Sequence, residues 1–457
     1  MGVEKVFILF IPEEGNVMKK RWLLAAVVMA ASTALLAACG SNSGSGANSS
    51  SSSSKTLNVA ALEGGYGSAA WKAVVKDFGA ANPGVKVKLT IDKKLESVVS
   101  PKMKAGDYPD VVHLATGRPD ALTETMIKSK GMEDLSDVKD MTIPGEKKKV
   151  SDVLMPGFDG TLATEPYADG KTYMMPMFYA PTGFFYNATL LKDNGWAVPK
   201  TMDELMALGK KAEAKGIALF TYPTTGYLDS MTYSLLADIG GKKYFNDAMG
   251  YNHDAWAGKE GTQYFNLVGN LVKQSAKTTV ANANNENFRK NQQLILDNKA
   301  VFMPNGTWVT SEMKDAPRAK GFKWGFMAVP GVKADDQYAY TYFEQIWVPK
   351  KAKNKALAKK FIAFMYSDKA TKDFLKGGAV QPVKDVTKQL DAEQKTFYSV
   401  YDNGAKVLVG SFQNAKAVEG VNMTDTLFGE ITSVTNGTKS ISQWQQDVVK
   451  AADQLRE

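Results

Sequence analysis

The chain of 457 residues has one cysteine, Cys39, so it can form no disulfide within itself. Histidine is nearly as scarce. His113 and His253 lie far apart, and with a single cysteine they cannot assemble a clustered Cys/His metal site. No metal centre and no cofactor is therefore expected. Arginine occurs only at Arg21, Arg118, Arg289, Arg318 and Arg456, so the net charge of +8 is carried mainly by lysine. The lysines are scattered through amphipathic helical stretches and form no basic stripe with interleaved aromatics, which argues against nucleic acid as a partner. Past the N-terminal region no apolar run is long enough to span a bilayer, so the body is expected to be soluble.

What is present begins with Lys19-Lys20-Arg21, an apolar stretch from Trp22 to Ala38, and small residues before Cys39. A basic start, an apolar core and a small-residue cut site make a secretory signal. With cysteine first after the cut, Leu36-Ala37-Ala38-Cys39 resembles the lipobox of bacterial lipoproteins. The resemblance implies that 18–38 is removed and that acylated Cys39 holds the protein to the outer face of the cell membrane. Several acyl chains together make such an anchor stable. Residues 39–56 are mostly Gly, Ser, Asn and Ala, a flexible tether. About fifteen such residues reach roughly 20 Å. Residues 1–17 sit upstream of the basic region and are expected to be an extension, with translation starting at Met18.

About 400 residues remain, too many for one small core and suited to two lobes. Leu57 to Leu62 reads as a buried strand. Trp71, Val74, Val75 and Phe78 share one helix face, Asn82-Pro83-Gly84 stops that helix, and Val85, Val87, Leu89 and Ile91 alternate as a strand. Asp110 to Leu114 is a third strand. Thr201 and Glu204 fit a capping box, Ile217 to Thr221 is a strand, and Ala300 to Met303 is another that leads to Gly306-Thr307-Trp308. Ser440 caps a helix with Ile441, Trp444, Val448 and Leu455 on its apolar face. Alternating strands and helices define an α/β fold with mainly parallel sheets, whose ligands collect beyond strand C-termini. The loops there are Glu63 to Gly67, where Glu63 and Tyr66 offer an acceptor and a ring, and Ala115 to Asp120.

Lys104 to Val111, Asp169 to Pro176 with Phe185-Tyr186-Asn187, Gly306-Thr307-Trp308, Ala328 to Gly331, Ala358 to Ile362 and Gln381-Pro382-Val383 occur in this order. Together they resemble the extracellular solute-binding proteins of carbohydrate ABC transporters, the family that includes maltose-binding protein. Glu63 to Gly67, Trp71 and Asn82 to Val85 resemble the N-acetylglucosamine and chitobiose-type binders within it. The resemblance implies a two-lobed periplasmic-binding-protein-like fold. Lobe one would hold 57–176 plus 331–376 and lobe two 180–328 plus 380–457, with hinge crossings near Pro176 to Ala180, Val329-Pro330 and Gly377-Gly378. It also implies a monomeric sugar binder that closes on an oligosaccharide and delivers it to ABC transporter permease subunits, with no catalytic residues.

A pyranose has apolar faces and a belt of hydroxyls. Aromatic rings stack on the faces, while carboxylates, Asn and Arg answer the hydroxyls. Trp308 is the leading stacker because it matches the family's glycine-x-tryptophan position. Tyr179, Tyr227 and Tyr342 are further rings, and Trp347 reads as core. Arg118, by its offset from the Pro109-Asp110 strand, and Glu344, before the Ile346 strand, resemble polar contacts of the family, and Asp120 sits beside Arg118. Asp110 is expected to hold backbone. A secreted carbohydrate-active enzyme stays an alternative if Glu63, Asp120 and Glu344 converge as a carboxylate pair, though no hydrolase motif accompanies them. A surface adhesin would call for repeats, and none is found.

Overall fold

The computed structural model describes residues 55–456 apart from Gly65, Pro119, Asn414, Ala415 and Ala417. The signal segment, Cys39 and the tether up to Ser54 lie outside the described residues. Among those described, nine strands join in one sheet. They are β1 (Lys55–Leu62), β2 (Val85–Asp92), β3 (Val111–His113), β4 (Met174–Asn187), β5 (Ala218–Phe220), β6 (Ala300–Gly306), β7 (Trp324–Met327), β8 (Tyr338–Trp347) and β9 (Lys406–Leu408). Their order is β2-β1-β3-β8-β4-β6-β5, with β7 on β4 and β9 on β8.

The expected β-α-β opening is present. β1 and β2 run parallel, and between them the helix Ala69–Ala81 buries Trp71, Val74 and Phe78. Leu57, Val59 and Ala61 of β1 enter one core while Ala60 and Leu62 enter another, so the strand is covered on both faces and reads as a continuous apolar run. Asp110 holds backbone as expected. It accepts from the N–H groups of Asn58 at 2.8 Å and Asn354 at 2.9 Å. Ser440 and Gln443 form the full capping box. At Thr201 the hydroxyl accepts from the Glu204 N–H, but the Glu204 carboxylate reaches back to the Lys200 N–H instead of Thr201.

The sheet is mixed where a mainly parallel one was expected. β1/β2, β1/β3 and β5/β6 are parallel, but β4 and β8 are long antiparallel strands inserted between these groups. β4 pairs with β8 from Met174 to Pro181, then with β6 and β7 from Thr182 to Asn187. The change of partner falls at Pro181, which has no N–H to donate. Gly183 follows, where a Cβ would lie 2.3 Å from the Met327 carbonyl oxygen, so only glycine permits the close crossing of β4 and β7.

The two lobes lie on either side of this change. One core gathers Trp71, Phe78, Phe361, Phe364 and Phe374; a second gathers Leu205, Phe220, Trp256, Phe265 and Trp444. The first continues along β4 through Tyr179 to Phe185 and Phe326, so packed side chains underlie the junction. Within 380–457, Val380, Val383, Phe397 and Tyr398 join the first core, whereas Met423 to Leu455 join the second. No described helix is long and apolar enough to cross a membrane.

Candidate functional site

β8 forms the floor of the site. Its side chains alternate, with Ala339, Thr341 and Phe343 buried in the core and Tyr340, Tyr342 and Glu344 more open on the other face. Successive residues on that face stand about 7 Å apart. Tyr342 is 41 % exposed, a large ring left open to solvent.

At the lobe-two end, β6 finishes at Gly306 and the chain turns into the short helix Val309–Glu312. A Cβ on Gly306 would lie 2.1 Å from the Trp308 ring, so glycine lets the indole fold back over the strand end. The glycine-x-tryptophan spacing therefore has a packing cause. Trp308 is half-buried, and its ring meets Tyr342 at 6.0 Å between centroids and Tyr227 at 6.4 Å. Tyr227 lies against Phe288 and donates its hydroxyl to Glu312 Oε1 at 2.9 Å. Gln292 donates to the other oxygen at 2.6 Å. Burial, and then Glu312, hold the Tyr227 hydroxyl far above its ordinary range. Tyr227 thus backs Trp308 and is itself mostly enclosed.

At the lobe-one end, the Tyr66 hydroxyl donates to Glu344 Oε2 at 2.7 Å, and its ring meets Phe178 edge-on at 4.9 Å. Burial, then the adjacent Glu344, raise the Tyr66 hydroxyl well above the usual phenol range. Arg118 forks onto Glu96, with Nε on Oε1 and Nη2 donating to Oε2 at 2.9 Å. Burial disfavours the Arg118 charge, but Glu96 outweighs this, with Tyr342 and Glu344 adding their part, so its pKa is raised.

The nine expected site residues divide into three groups. Tyr66, Arg118, Trp308, Tyr342 and Glu344 come together along the floor, with Tyr227 behind them. Asp120 is exposed and Glu63 half-buried; among the described residues neither side chain makes an ion pair. Tyr179 is only 3 % exposed, packed between Phe158 and Tyr398 with its hydroxyl on Met155 Sδ at 3.6 Å, so it is a core ring. Trp347 is fully buried, as expected.

Four residues escaped the sequence reading. Glu96 shares a helix face with Val99 and Met103, and a carboxylate on that apolar face was the available signal. His113 interrupts the apolar strand Val111–His113. Asp229 opens the helix Asp229–Met249, with its carboxyl pushed up to about 7 by burial. Glu312 carries no local pattern that marks it. A cavity of about 620 Å³, lined by Arg289, Gln293, Lys314 and others, adjoins the tyrosine wall at Glu312 but lies apart from the floor.

A two-lobed α/β body with an aromatic and carboxylate floor across the lobe boundary is the build of a solute-binding protein. Residues 63–372 match the family described as bacterial extracellular solute-binding protein, and the chain belongs to that family. It is 27 % identical over 335 residues to the diacetylchitobiose binding protein NgcE of Streptomyces coelicolor, covering 70 % of this chain and 68 % of that one. It is 24 % identical over 315 residues to the multiple sugar-binding protein of Streptococcus mutans, covering 67 % and 70 %. Among solved structures, the bacterial solute receptor AcbH superposes with a TM-score of 0.68 at 18 % identity, over 88 % of this chain and 100 % of that one. At that identity the likeness is one of fold.

Proposed function

We propose that this protein captures an oligosaccharide between its two lobes and delivers it to the permease subunits of an ABC transporter. The observation that carries this reading is the line Trp308–Tyr342–Glu344–Tyr66, three rings with a carboxylate set among them. Rings of this kind cover the apolar faces of a pyranose, and the carboxylate accepts from its hydroxyls. The sugar-binding relatives support the same class of ligand, and the chitobiose-type resemblance favours N-acetylated sugars within it.

Closure about the expected hinge crossings brings lobe two, with Trp308 and Tyr227, against lobe one, with Tyr66 and Arg118. The lobe boundaries expected above are kept as part of this proposal, with the first crossing near Pro176 to Ala180, except that Val380 to Tyr398 is assigned with the first core. The protein acts as a binder without catalysis, works as a monomer, and is held outside the cell by acylated Cys39. That last point rests on the Leu36 to Cys39 motif.

A thermal-shift panel of chito-, malto- and gluco-oligosaccharides tests the reading. A melting temperature that rises with one series, without cleavage of that sugar, is the expected result. No shift with any sugar overturns it, and cleavage products would favour an enzyme.

A further inference from the structure

Glu344 receives two contacts from lobe one, and both fall on the same oxygen. The Tyr66 hydroxyl donates to Oε2 at 2.7 Å, and His113 Nε2 stands 3.0 Å from that atom. Among the described residues nothing donates to Oε1, and the side chain is 13 % exposed, so Oε1 is the accessible acceptor. The imidazole is fully buried and packs in the corner between Trp71, at 5.0 Å, and Phe178, at 5.2 Å between ring centroids. Nε2 is close to Oε2 without the in-line geometry of a hydrogen bond, and among the described residues neither ring nitrogen has a hydrogen-bond partner. A ring so confined cannot swing toward the carboxylate. With Oε2 bonded to the Tyr66 hydroxyl and faced by Nε2, Oε1 is the oxygen left without a donor among the described residues. Arg118 also faces Glu344, but both Glu96 oxygens already engage its guanidinium.

We propose that His113 is a positioning residue that holds Glu344 by Oε2, so that Oε1 forms an acceptor subsite for a hydroxyl or amine of the ligand and repels a ligand carboxylate. This rests on the sugar-binding reading above and adds to it both a residue and a selectivity. A neutral or amine-bearing sugar supplies the missing donor. A uronic acid brings a second anion to a carboxylate with no ion pair to Lys or Arg among the described residues, a repulsive element that acts as selectivity.

Two measurements test it. The first needs no ligand. His113 and His253 are the only histidines, so ring nitrogen–proton NMR spectra can be assigned with a single variant. An Nε2–H signal of His113 that moves in Glu344→Gln is expected; a His113 signal indifferent to that change overturns the proposal. The second measures affinity for diacetylchitobiose, maltotriose and digalacturonate in the parent, His113→Phe and His113→Gln. If the Nε2 contact becomes a hydrogen bond to Glu344 when ligand engages Oε1, its loss predicts about tenfold weaker binding of the neutral sugar in the Phe variant. The Gln variant, which keeps a donor near Nε2, should recover most of this. Equal binding by the Phe variant, or tighter binding of digalacturonate than of either neutral sugar, overturns the proposal. If the parent binds no sugar, the functional reading fails, and the NMR result alone decides whether His113 holds Glu344.

Discussion

Trp308 and Tyr342 meet at right angles, with ring centroids 6.0 Å apart and planes 77° apart, one on the turn after β6 and the other on β8. Rings at this angle do not stack face to face, and Tyr342, 41 % exposed, keeps part of its ring open to solvent. If a sugar packs on this pair, Trp308→Ala should weaken binding while leaving the fold intact. Truncating such an anchor costs at least about 2 kcal/mol, near thirtyfold in Kd. A core tryptophan would behave otherwise, because its loss opens a cavity costing about 3–5 kcal/mol of stability. Titration calorimetry paired with an unliganded melting curve separates the two. A variant that melts far lower yet binds normally would show that Trp308 is a core residue.

Gly306 supplies a second test of the same wall. A methyl group there would press into the indole at 2.1 Å, and β6 backbone geometry itself accepts alanine. Gly306→Ala should therefore displace the ring, reduce affinity by less than Trp308→Ala does, and change the near-ultraviolet tryptophan signal. Unchanged affinity and spectrum would mean that the indole tolerates the added methyl.

How much of this was legible in the sequence follows the range of the forces involved. The β-α-β opening, the Ser440 cap and the buried Trp347 depend on neighbours in sequence, and periodicity and capping chemistry revealed them. The mixed sheet did not show, because β4 and β8 pair across more than 150 residues and apolar runs carry no direction. Tyr179 and Tyr342 looked alike as tyrosines within strand-forming stretches. Only the tertiary fold buries one against Phe158 and Tyr398 and opens the other to solvent. Arg118 was found, but its partner Glu96 is 22 residues away on another element, and no spacing rule links them. His113 was read only as a failed metal ligand, since its partner Glu344 lies on the neighbouring strand β8, more than 200 residues further along the chain.

The anchor is tested by Cys39→Ser. If acyl chains on that sulfur hold the protein to the membrane, the variant should fold and bind ligand but appear in the medium. Fractionation of cells and supernatant checks this. A serine variant retained with the membranes as fully as the parent would remove the lipoprotein reading.

Closure is tested in solution. On the proposed lobe boundaries, Trp308 and Tyr227 belong to lobe two while Tyr66, Arg118, Tyr342 and Glu344 belong to lobe one. Full contact with one ligand therefore asks the lobes to approach. Small-angle scattering should give a smaller radius of gyration at saturating oligosaccharide. An unchanged radius would point to a rigid, preformed groove.

Stability should depend on pH through Asp229. Burial pushes its carboxyl up to about 7, against the opposing effect of the Ser230 N–H, which donates to it at 2.5 Å. In the unfolded chain an aspartate titrates near about 3.9. Between about pH 4 and pH 7 the folded protein therefore holds a proton that the unfolded chain has lost, so stability falls as pH rises through that window. Asp229→Asn keeps the shape and removes the titration. Asp238, also raised by burial, acts in the same direction in both proteins, so the difference between the two melting curves isolates Asp229. The Asn variant should melt close to the parent near about pH 5 and above it near about pH 8. Parallel melting temperatures across that range would show that Asp229 titrates like an ordinary surface carboxylate.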